Sequence, residues 1–190
     1  ISVCKDISNE WKGSGYMNIF YLHNDPDIAA RAMTDKHCVK MILESAQLLS
    51  TAHRVLDGLP YTKTSKSGAK LTRYNHSLPL YEATHINHPS AIWVRESVSN
   101  YMWLYNHFLS LCLEYTRRYG KTHRSYTDIN TYLATPPSNL TDTGATPVRI
   151  AITDTQWHRD CPVQSYRAYY VGEKLKTQSD LNRYMEVLYG

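Results

Sequence analysis

The stretch DKHCVKMILESAQLL, residues 35–49, carries the clearest helical pattern in this sequence. At 3.6 residues per turn its polar members fall into one stripe along a helix: Lys36, Lys40, Glu44 and Gln47, with His37 at the edge. The apolar members lie away from that stripe and are expected on the buried side: Val39, Ile42, Leu43, Ala46 and Leu49. The pattern predicts one amphipathic helix with a concentrated polar face.

Two interpretations of the polar stripe are open. Lysine and glutamate four residues apart are common on solvated helix faces, where each pair stabilises the helix by about 0.2–0.5 kcal/mol. His37 and Gln47 add nothing to such a salt-bridge ladder, but they extend the hydrogen-bonding reach of the face. The stripe is therefore either a solvated surface or a site where amines, a carboxylate, an amide and an imidazole act together.

Length and composition indicate one globular, intracellular domain. The 190 residues are enough for one domain with its own core but too few for two well-packed domains, and 42% hydrophobic with 20% charged residues is ordinary for such a chain. No apolar run is long enough to span a membrane, and residues 1–16 lack the apolar segment of a signal peptide. The four cysteines are scattered without a C-x-x-C pair, so free thiols in a reducing compartment such as the cytoplasm are expected.

The charge balance is compatible with a polyanionic partner. The net charge is +4, and the chain has 16 tyrosines against two phenylalanines. Tyrosines can stack on bases and donate hydrogen bonds to phosphates, although tyrosines at helical spacing are also typical of cores and interfaces. Composition alone leaves both roles open.

The chain order predicts a mainly α fold, a single compact multi-helix domain over residues 17–190 after a leader or flexible extension over 1–16. Residues 17–22 are apolar and predict a short strand or an extended segment that enters the core. Asp25 followed by Pro26 predicts the start of a short helix. Thr34 or Asp35 is expected to cap the next helix, which runs to about residue 56 and stops before Gly58.

The second half is expected to alternate helices with long irregular loops. Residues 57–87 predict a mobile basic loop, either solvated or acting as a phosphate-contacting arm. A helix of about thirty residues is expected from His88 to Gly120, followed by a short helix over 125–134. A Pro/Thr-rich loop over 135–162 holds one possible strand at 148–152. Helices over 163–176 and 178–189 complete the chain.

Common cofactor and catalytic motifs are absent from the sequence. There is no H-E-x-x-H, no compact Cys/His knuckle, no phosphate-binding glycine loop and no G-x-S-x-G, so neither a metal nor another cofactor is expected. A basic cluster at the end of the long helix includes Arg118, Lys121 and His123. These cations either complement the helix dipole or contact phosphates.

Several of these residues together resemble a known pattern. Asp35, Lys36, Lys40, Glu44 and Gln47, followed by Asn87-His88-Pro89 and Trp93, resemble small phage and bacterial proteins grouped with the pyrimidine-dimer DNA glycosylases. The phage-encoded repair glycosylase has a similar Asp-x-His with its catalytic Glu nine positions after the Asp, a spacing that Asp35, His37 and Glu44 match. The shared positions cover roughly residues 17–120.

This resemblance implies DNA as the partner and base excision as the chemistry. An amine attacks the sugar C1′, the base leaves, and an imine intermediate can undergo β-elimination, with Glu44 as the carboxylate that stabilises charge and manages protons. The catalytic set expected from the resemblance is Glu44, Lys36, Lys40 and His37. The expected substrate-binding set is Gln47, His88, Arg95, Arg118, Lys121, His123 and Arg167.

The sequence departs from the glycosylase pattern at two points. The repair glycosylase attacks with its own N-terminal amine, whereas sixteen residues precede Met17 here, and Asn18 would disfavour removal of an initiating methionine. Leu43 occupies the place of an arginine that precedes the catalytic Glu. Lys36 or Lys40 is then the substitute nucleophile. A non-catalytic DNA- or nucleotide-binding module of the same fold and a phage structural or interaction protein are the alternatives.

Overall fold

The computed structural model describes residues 17–190, which form a mainly α fold, as the sequence predicts. The helices are α1 (Pro26–Arg31), α2 (Asp35–Asp57), α3 (Pro89–Val94), α4 (Val98–Tyr119), α5 (Arg124–Leu133), α6 (Pro162–Glu173) and α7 (Gln178–Tyr189), with a 3-10 turn at Thr155–Trp157. Strands β1 (Leu59–Thr64) and β2 (Lys70–Asn75) form an antiparallel hairpin. Within residues 17–190, no helix is both long and apolar enough to cross a bilayer. The leader prediction for 1–16 lies outside the described residues.

The first two helices begin where the sequence predicts. The Asp25 side chain accepts hydrogen bonds from the first backbone amides of α1, and Pro26 occupies its first turn. Thr34 caps α2 through the His37 amide, and Gly58 ends the helix. A Cβ on Gly58 would lie 2.3 Å from the Arg54 carbonyl oxygen, which explains why glycine stands there.

The core lies between α2 and α4. Its larger buried side chains include Met41, Ile42, Leu48 and Leu49 from α2 and Tyr101, Leu104, Phe108 and Leu111 from α4. Tyr166, Tyr170 and Tyr184 of α6 and α7 are also fully buried, so part of the tyrosine excess serves the core. Residues 17–22 enter this core without strand pairing, and the chain turns at Phe20, where φ is +51°. Cys38 and Cys112 are buried free thiols.

The predicted thirty-residue helix is wrong, because the chain breaks between α3 and α4. The hydroxyl of Ser97 accepts a hydrogen bond from the Asn100 amide and starts a new helix. The Arg95 and Glu96 amides bond back to Ile92 and Trp93 and close α3. Apolar periodicity continues across the break, so the capping serine was the informative signal.

The prediction of a basic loop over 57–87 is wrong for its first part, whereas residues 76–87 form neither helix nor strand. Residues 59–75 form the β1–β2 hairpin, closed by a turn in which the Ser65 amide donates to the Ala69 carbonyl and Gly68 has φ +84°. The possible strand at 148–152 is absent. Instead, the Ala151 amide donates to the Tyr166 hydroxyl at 2.9 Å.

Arg118 ties the end of α4 to the start of α2. Its side chain is 5% exposed, and its guanidinium lies 2.7 Å from Glu114, 3.0 Å from Asp35 and 2.9 Å from the Met33 carbonyl oxygen.

We expect Arg118→Met to lower the free energy of unfolding by about 2–3 kcal/mol, because buried acceptors lose their donor. Urea unfolding measures this. Arg124→Met is the control, since that side chain is 90% exposed; equal losses in both variants would contradict the assigned role.

Four buried histidines predict a loss of stability in mild acid. Burial lowers the pKa of His37, His53, His88 and His107 to about 4. Below pH 6.5 the unfolded chain therefore binds protons that the folded chain excludes down to about pH 4. We expect the free energy of unfolding to fall by about 1.4 kcal/mol per pH unit for each histidine across this window.

Urea unfolding at pH 7, 6 and 5 measures this loss. The lowered pKa values of Asp57 and Glu114 start from ordinary values of 3.8 and 4.5, so their contribution is lost at lower pH. Glu44 has a raised pKa and opposes the loss in part. An unfolding free energy that stays constant from pH 7 to pH 5 would contradict the assignment of these histidines as buried and neutral.

Candidate active site

The carboxylate of Glu44 is buried at the point where the entering chain crosses α2. Glu44 as a whole is only 7% exposed to solvent. One oxygen accepts a hydrogen bond from the Asn18 backbone N–H at 3.0 Å, and the other lies 3.0 Å from Lys40 Nζ. Burial raises the pKa of Glu44 above 4.5, while the bonds to Lys40 and Asn18 pull it down in part. A carboxylate in this state is a stronger base than a solvated one.

The predicted polar stripe divides between two environments. Lys36 and Lys40 are exposed and Gln47 is half-buried, whereas His37 and Glu44 are buried. The expected burial of Val39 and Leu43 is wrong, since they are 40% and 42% exposed. Because α2 packs against other elements on more than one side, His37 at the edge of the stripe and Glu44 within it are both buried. Lys40 bridges the two environments, with its stem on the surface and its amine at Glu44.

His37 is held by the C-terminal helices. Its Nδ1 lies 2.8 Å from the Tyr170 hydroxyl, which also accepts a hydrogen bond from the Thr34 amide. Its ring stacks on Phe20 at a centroid distance of 4.4 Å. With a pKa of about 4, lowered first by burial and then by nearby lysines, His37 is neutral at pH 7. It can position groups around α2 without contributing charge.

The two ends of α3 hold two predicted residues, and the one before the helix, His88, lies beside residue 17. His88 caps α3 through the Ser90 amide, and a hydrogen bond to the Met17 backbone acts on its pKa. Arg95 donates from Nη2 to the Ile86 carbonyl oxygen at 2.6 Å, while its Nη1 is buried and has no hydrogen-bond partner among residues 17–190. Burial lowers the pKa of Arg95. This nitrogen is enclosed by the protein, so an anion would reach it only after the surrounding side chains move.

A cavity of about 360 Å³ adjoins this arrangement, at the lower end of the size range of ligand pockets. Its lining includes Asn18, Phe20, His88, Trp157, Tyr169 and Lys174. The amine of Lys174 lies 4.8 Å from the centre of the Tyr169 ring. Sequence reasoning missed Asn18, Trp157, Tyr169 and Lys174, because Asn18 contributes through its backbone and the others belong to segments interpreted as loop or plain helix.

Four other predicted substrate-binding residues lie elsewhere. Arg118 is engaged in the buried ion pairs at the start of α2. Lys121 is exposed beyond α4, and His123 caps α5 through the Ser125 amide. Arg167 donates to the Leu22 carbonyl oxygen at 2.8 Å. The structure brings none of these four into contact with Glu44, and Arg118 and Arg167 spend donors on the protein itself.

One cluster among residues 17–190 has the composition of a metal site. His53, Asp57 and His76 each offer a ligand atom within 4.8 Å of the others. The cluster already has protein partners, since His53 forms a hydrogen bond with the Tyr101 hydroxyl and His76 Nδ1 accepts one from the Leu78 amide. Asp57 also accepts hydrogen bonds from the backbone amides of Ser138 and Asn139. We therefore interpret it as a polar connection between the end of α2 and the loop after α5.

Comparison with known proteins gives one match. The family model described as pyrimidine dimer DNA glycosylase matches residues 17–128. The matched range starts at the segment that bonds Glu44 and includes α2, the hairpin, α3 and α4. Searches among curated proteins and among solved structures found no match.

Glu44→Gln tests whether the buried charge has a stability cost. Because the pKa of Glu44 is raised, the folded chain favours a neutral side chain here, and glutamine keeps an acceptor for the Asn18 amide. We expect the free energy of unfolding at pH 7 to be unchanged or higher in Glu44→Gln. Glu114→Gln is the matched control, because Arg117 and Arg118 lower the pKa of Glu114 and its charge is stabilising. Equal destabilisation in both variants, measured by urea unfolding, would contradict this account.

Proposed function

The chain belongs to the pyrimidine dimer DNA glycosylase family, and we propose that it removes a damaged base from DNA by attack of an amine on the sugar. Glu44 is the proposed carboxylate and Lys40 the proposed amine. DNA is then the partner, bound by one helical domain that includes residues 17–190. The observation that carries the proposal is the contact of 3.0 Å between Lys40 Nζ and a buried Glu44 with a raised pKa.

The proposed reaction uses one amine and one proton-transferring carboxylate. The amine lone pair forms a bond to C1′ as the glycosidic bond breaks and the base departs with its electron pair. The sugar ring then opens to an imine, and the ring oxygen takes a proton. Loss of a C2′ proton expels the 3′-phosphate, and water hydrolyses the imine to release the amine. Glu44 would give and take these protons.

The burial of Glu44 supports this role. The amine must lose its proton before it attacks, and the nearest base must accept that proton. Desolvation raises the pKa of Glu44 and so makes its carboxylate a better acceptor than an exposed one. The same carboxylate, once ionised again, can stabilise positive charge that develops on the sugar.

The amine itself has a second candidate at the same carboxylate. The backbone nitrogen of Asn18 lies 3.0 Å from the other Glu44 oxygen. In residues 17–190 it is a peptide nitrogen and not a nucleophile, but a chain whose first residue was Asn18 would present a primary amine there. Lys36, one turn before Lys40 on the exposed face, is the third candidate.

The surroundings of Glu44 fit a nucleotide. Trp157 and Tyr169 offer aromatic faces in the adjoining cavity, where a base could stack. His88 and Gln47 can donate or accept hydrogen bonds, and we keep Arg95 as the proposed phosphate contact that the resemblance implies. These groups form the proposed substrate-binding set around the reacting sugar.

Borohydride trapping on duplex DNA with an abasic site tests the mechanism. We expect wild type to form a covalent adduct and Glu44→Gln and Lys40→Gln to form it at least about 100-fold more slowly. Lys176→Gln is the control, since this lysine is exposed between α6 and α7. Mass spectrometry of the digested adduct identifies the amine as Lys40, Lys36 or a terminal amine.

Each outcome of the trapping experiment decides between functions. An adduct on Lys36 or on a terminal amine would keep the imine chemistry and overturn the role of Lys40. Salt-sensitive DNA binding without any adduct would favour a non-catalytic binding module of the same fold. The contact between Lys40 and Glu44 is the observation that favours this alternative, because a lysine and a glutamate four residues apart also form an ordinary structural pair on a helix.

A further inference from the structure

The net charge of the chain resides in one short segment. Residues 58–81 contain four lysines and arginines and no aspartate or glutamate: Lys63, Lys66, Lys70 and Arg73. The whole chain has 21 basic and 17 acidic residues, so the remainder has 17 of each and is neutral. None of the four cations forms an ion pair with another residue in the described range 17–190.

This segment is the β1–β2 hairpin, which extends into solvent. All six residues of β1 and the first three of β2 are exposed. In the antiparallel register Tyr61 is opposite Arg73 and Lys63 is opposite Leu71, so these four side chains share one face. Tyr61 and Leu71 are 39% and 38% exposed on that face. A two-stranded hairpin that buries so little has no core of its own to explain its composition.

The base of the hairpin is fixed to α2 by a buried side chain. Arg54 donates to the carbonyl oxygens of Tyr74, Leu80 and Tyr81 at 2.6–2.7 Å. Arg54 follows Glu44 by ten residues on one helix, a rise of about 15 Å. These contacts therefore hold the base of the hairpin at a fixed position along α2 relative to Glu44.

We propose that the exposed hairpin contacts the phosphate backbone of duplex DNA beside the damaged nucleotide. The proposal rests on the proposed function, in which DNA is the substrate at Glu44. Successive phosphates of one strand rise about 3.4 Å along the duplex axis, so the rise of about 15 Å along α2 from Glu44 to the base of the hairpin corresponds to four to five nucleotides. The lysines supply point charges, while Tyr61 and Leu71 can pack against sugars. These contacts position the duplex without reading its sequence.

Salt dependence of DNA binding tests this contact. Each phosphate contact contributes about −0.9 to the slope of log affinity against log salt. The triple variant Lys63→Gln, Lys66→Gln and Lys70→Gln should therefore have a slope shallower by about 2–3 than wild type. Between 50 and 200 mM salt, wild-type affinity should fall about 40-fold more than that of the variant. Fluorescence anisotropy on duplex DNA with an abasic site measures both slopes.

The matched control replaces three exposed cations on other elements: Arg124→Gln, Arg159→Gln and Lys176→Gln. It removes the same formal charge, and its slope should change by less than about 1. Circular dichroism and thermal unfolding should show both triple variants folded, since the hairpin lysines are exposed. Equal slope changes in the two variants, or none in the hairpin variant, would overturn the proposal. Tighter hairpin-dependent binding to duplex RNA than to duplex DNA would overturn it too.

Trapping at saturating protein separates this proposal from the proposed function. Wild type that forms the adduct, together with a hairpin variant that retains the wild-type salt slope, would overturn the hairpin contact alone. Wild type that forms no adduct, together with a shallower slope in the hairpin variant, would overturn the base-excision chemistry alone. A hairpin variant that needs more protein but reaches the same trapping rate at saturation supports both.

Discussion

The whole arrangement depends on α2 being held at both ends by buried arginine side chains. Arg118 reaches from α4 to Asp35 and the Met33 carbonyl oxygen at the first turn. Arg54, in the last turn, donates to three carbonyl oxygens of the chain that returns from the hairpin. Charged donors on carbonyl and carboxylate oxygens are among the stronger hydrogen bonds in proteins. With both ends fixed, the middle of the helix can hold a carboxylate whose own environment is unfavourable.

That carboxylate is the group to which we assign the proposed chemistry. Glu44 is buried, its pKa is raised, and its partners are one surface lysine and one backbone amide. Glu114 is buried to the same degree, but two arginines lower its pKa and make its charge stabilising. An ion pair that served only stability would be expected to resemble that of Glu114, in which arginines stabilise the charge. The contrast between these two glutamates is the physical basis for placing function at the first.

Sequence signals predicted the fold where local chemistry decides it. Asp25, Thr34 and Gly58 mark helix ends because their caps bond only a few residues away. The break at Ser97 was missed because the apolar periodicity of the two helices continues across it. The hairpin was missed because both of its faces are solvated, so its strands lack the alternation of apolar and polar residues that a buried face imposes.

The candidate site was only partly predictable, for a different reason. Lys40 and Glu44 are four residues apart on one helix, so helical geometry alone predicts their contact. Asn18, Trp157 and Tyr169 lie 26 or more residues from Glu44 in the sequence and reach the site only through tertiary packing. No local sequence pattern predicts these contacts. The inward position of His37 likewise depends on Tyr170, a residue 133 positions away.

The distance between the hairpin and Glu44 has an electrostatic consequence for a DNA-acting protein. Further cations beside Glu44, the proposed catalytic carboxylate, would lower its pKa and weaken it as a base, as Lys40 already does in part. The base of the hairpin lies about 15 Å along α2 from Glu44, which is longer than the Debye length of about 8 Å at physiological salt, so charge at that distance acts little on Glu44 across solvent. A phosphate backbone that passes both places can still contact them directly. The excess of positive charge on the exposed hairpin can therefore attract DNA while the buried carboxylate keeps the basicity that the proposed base excision requires.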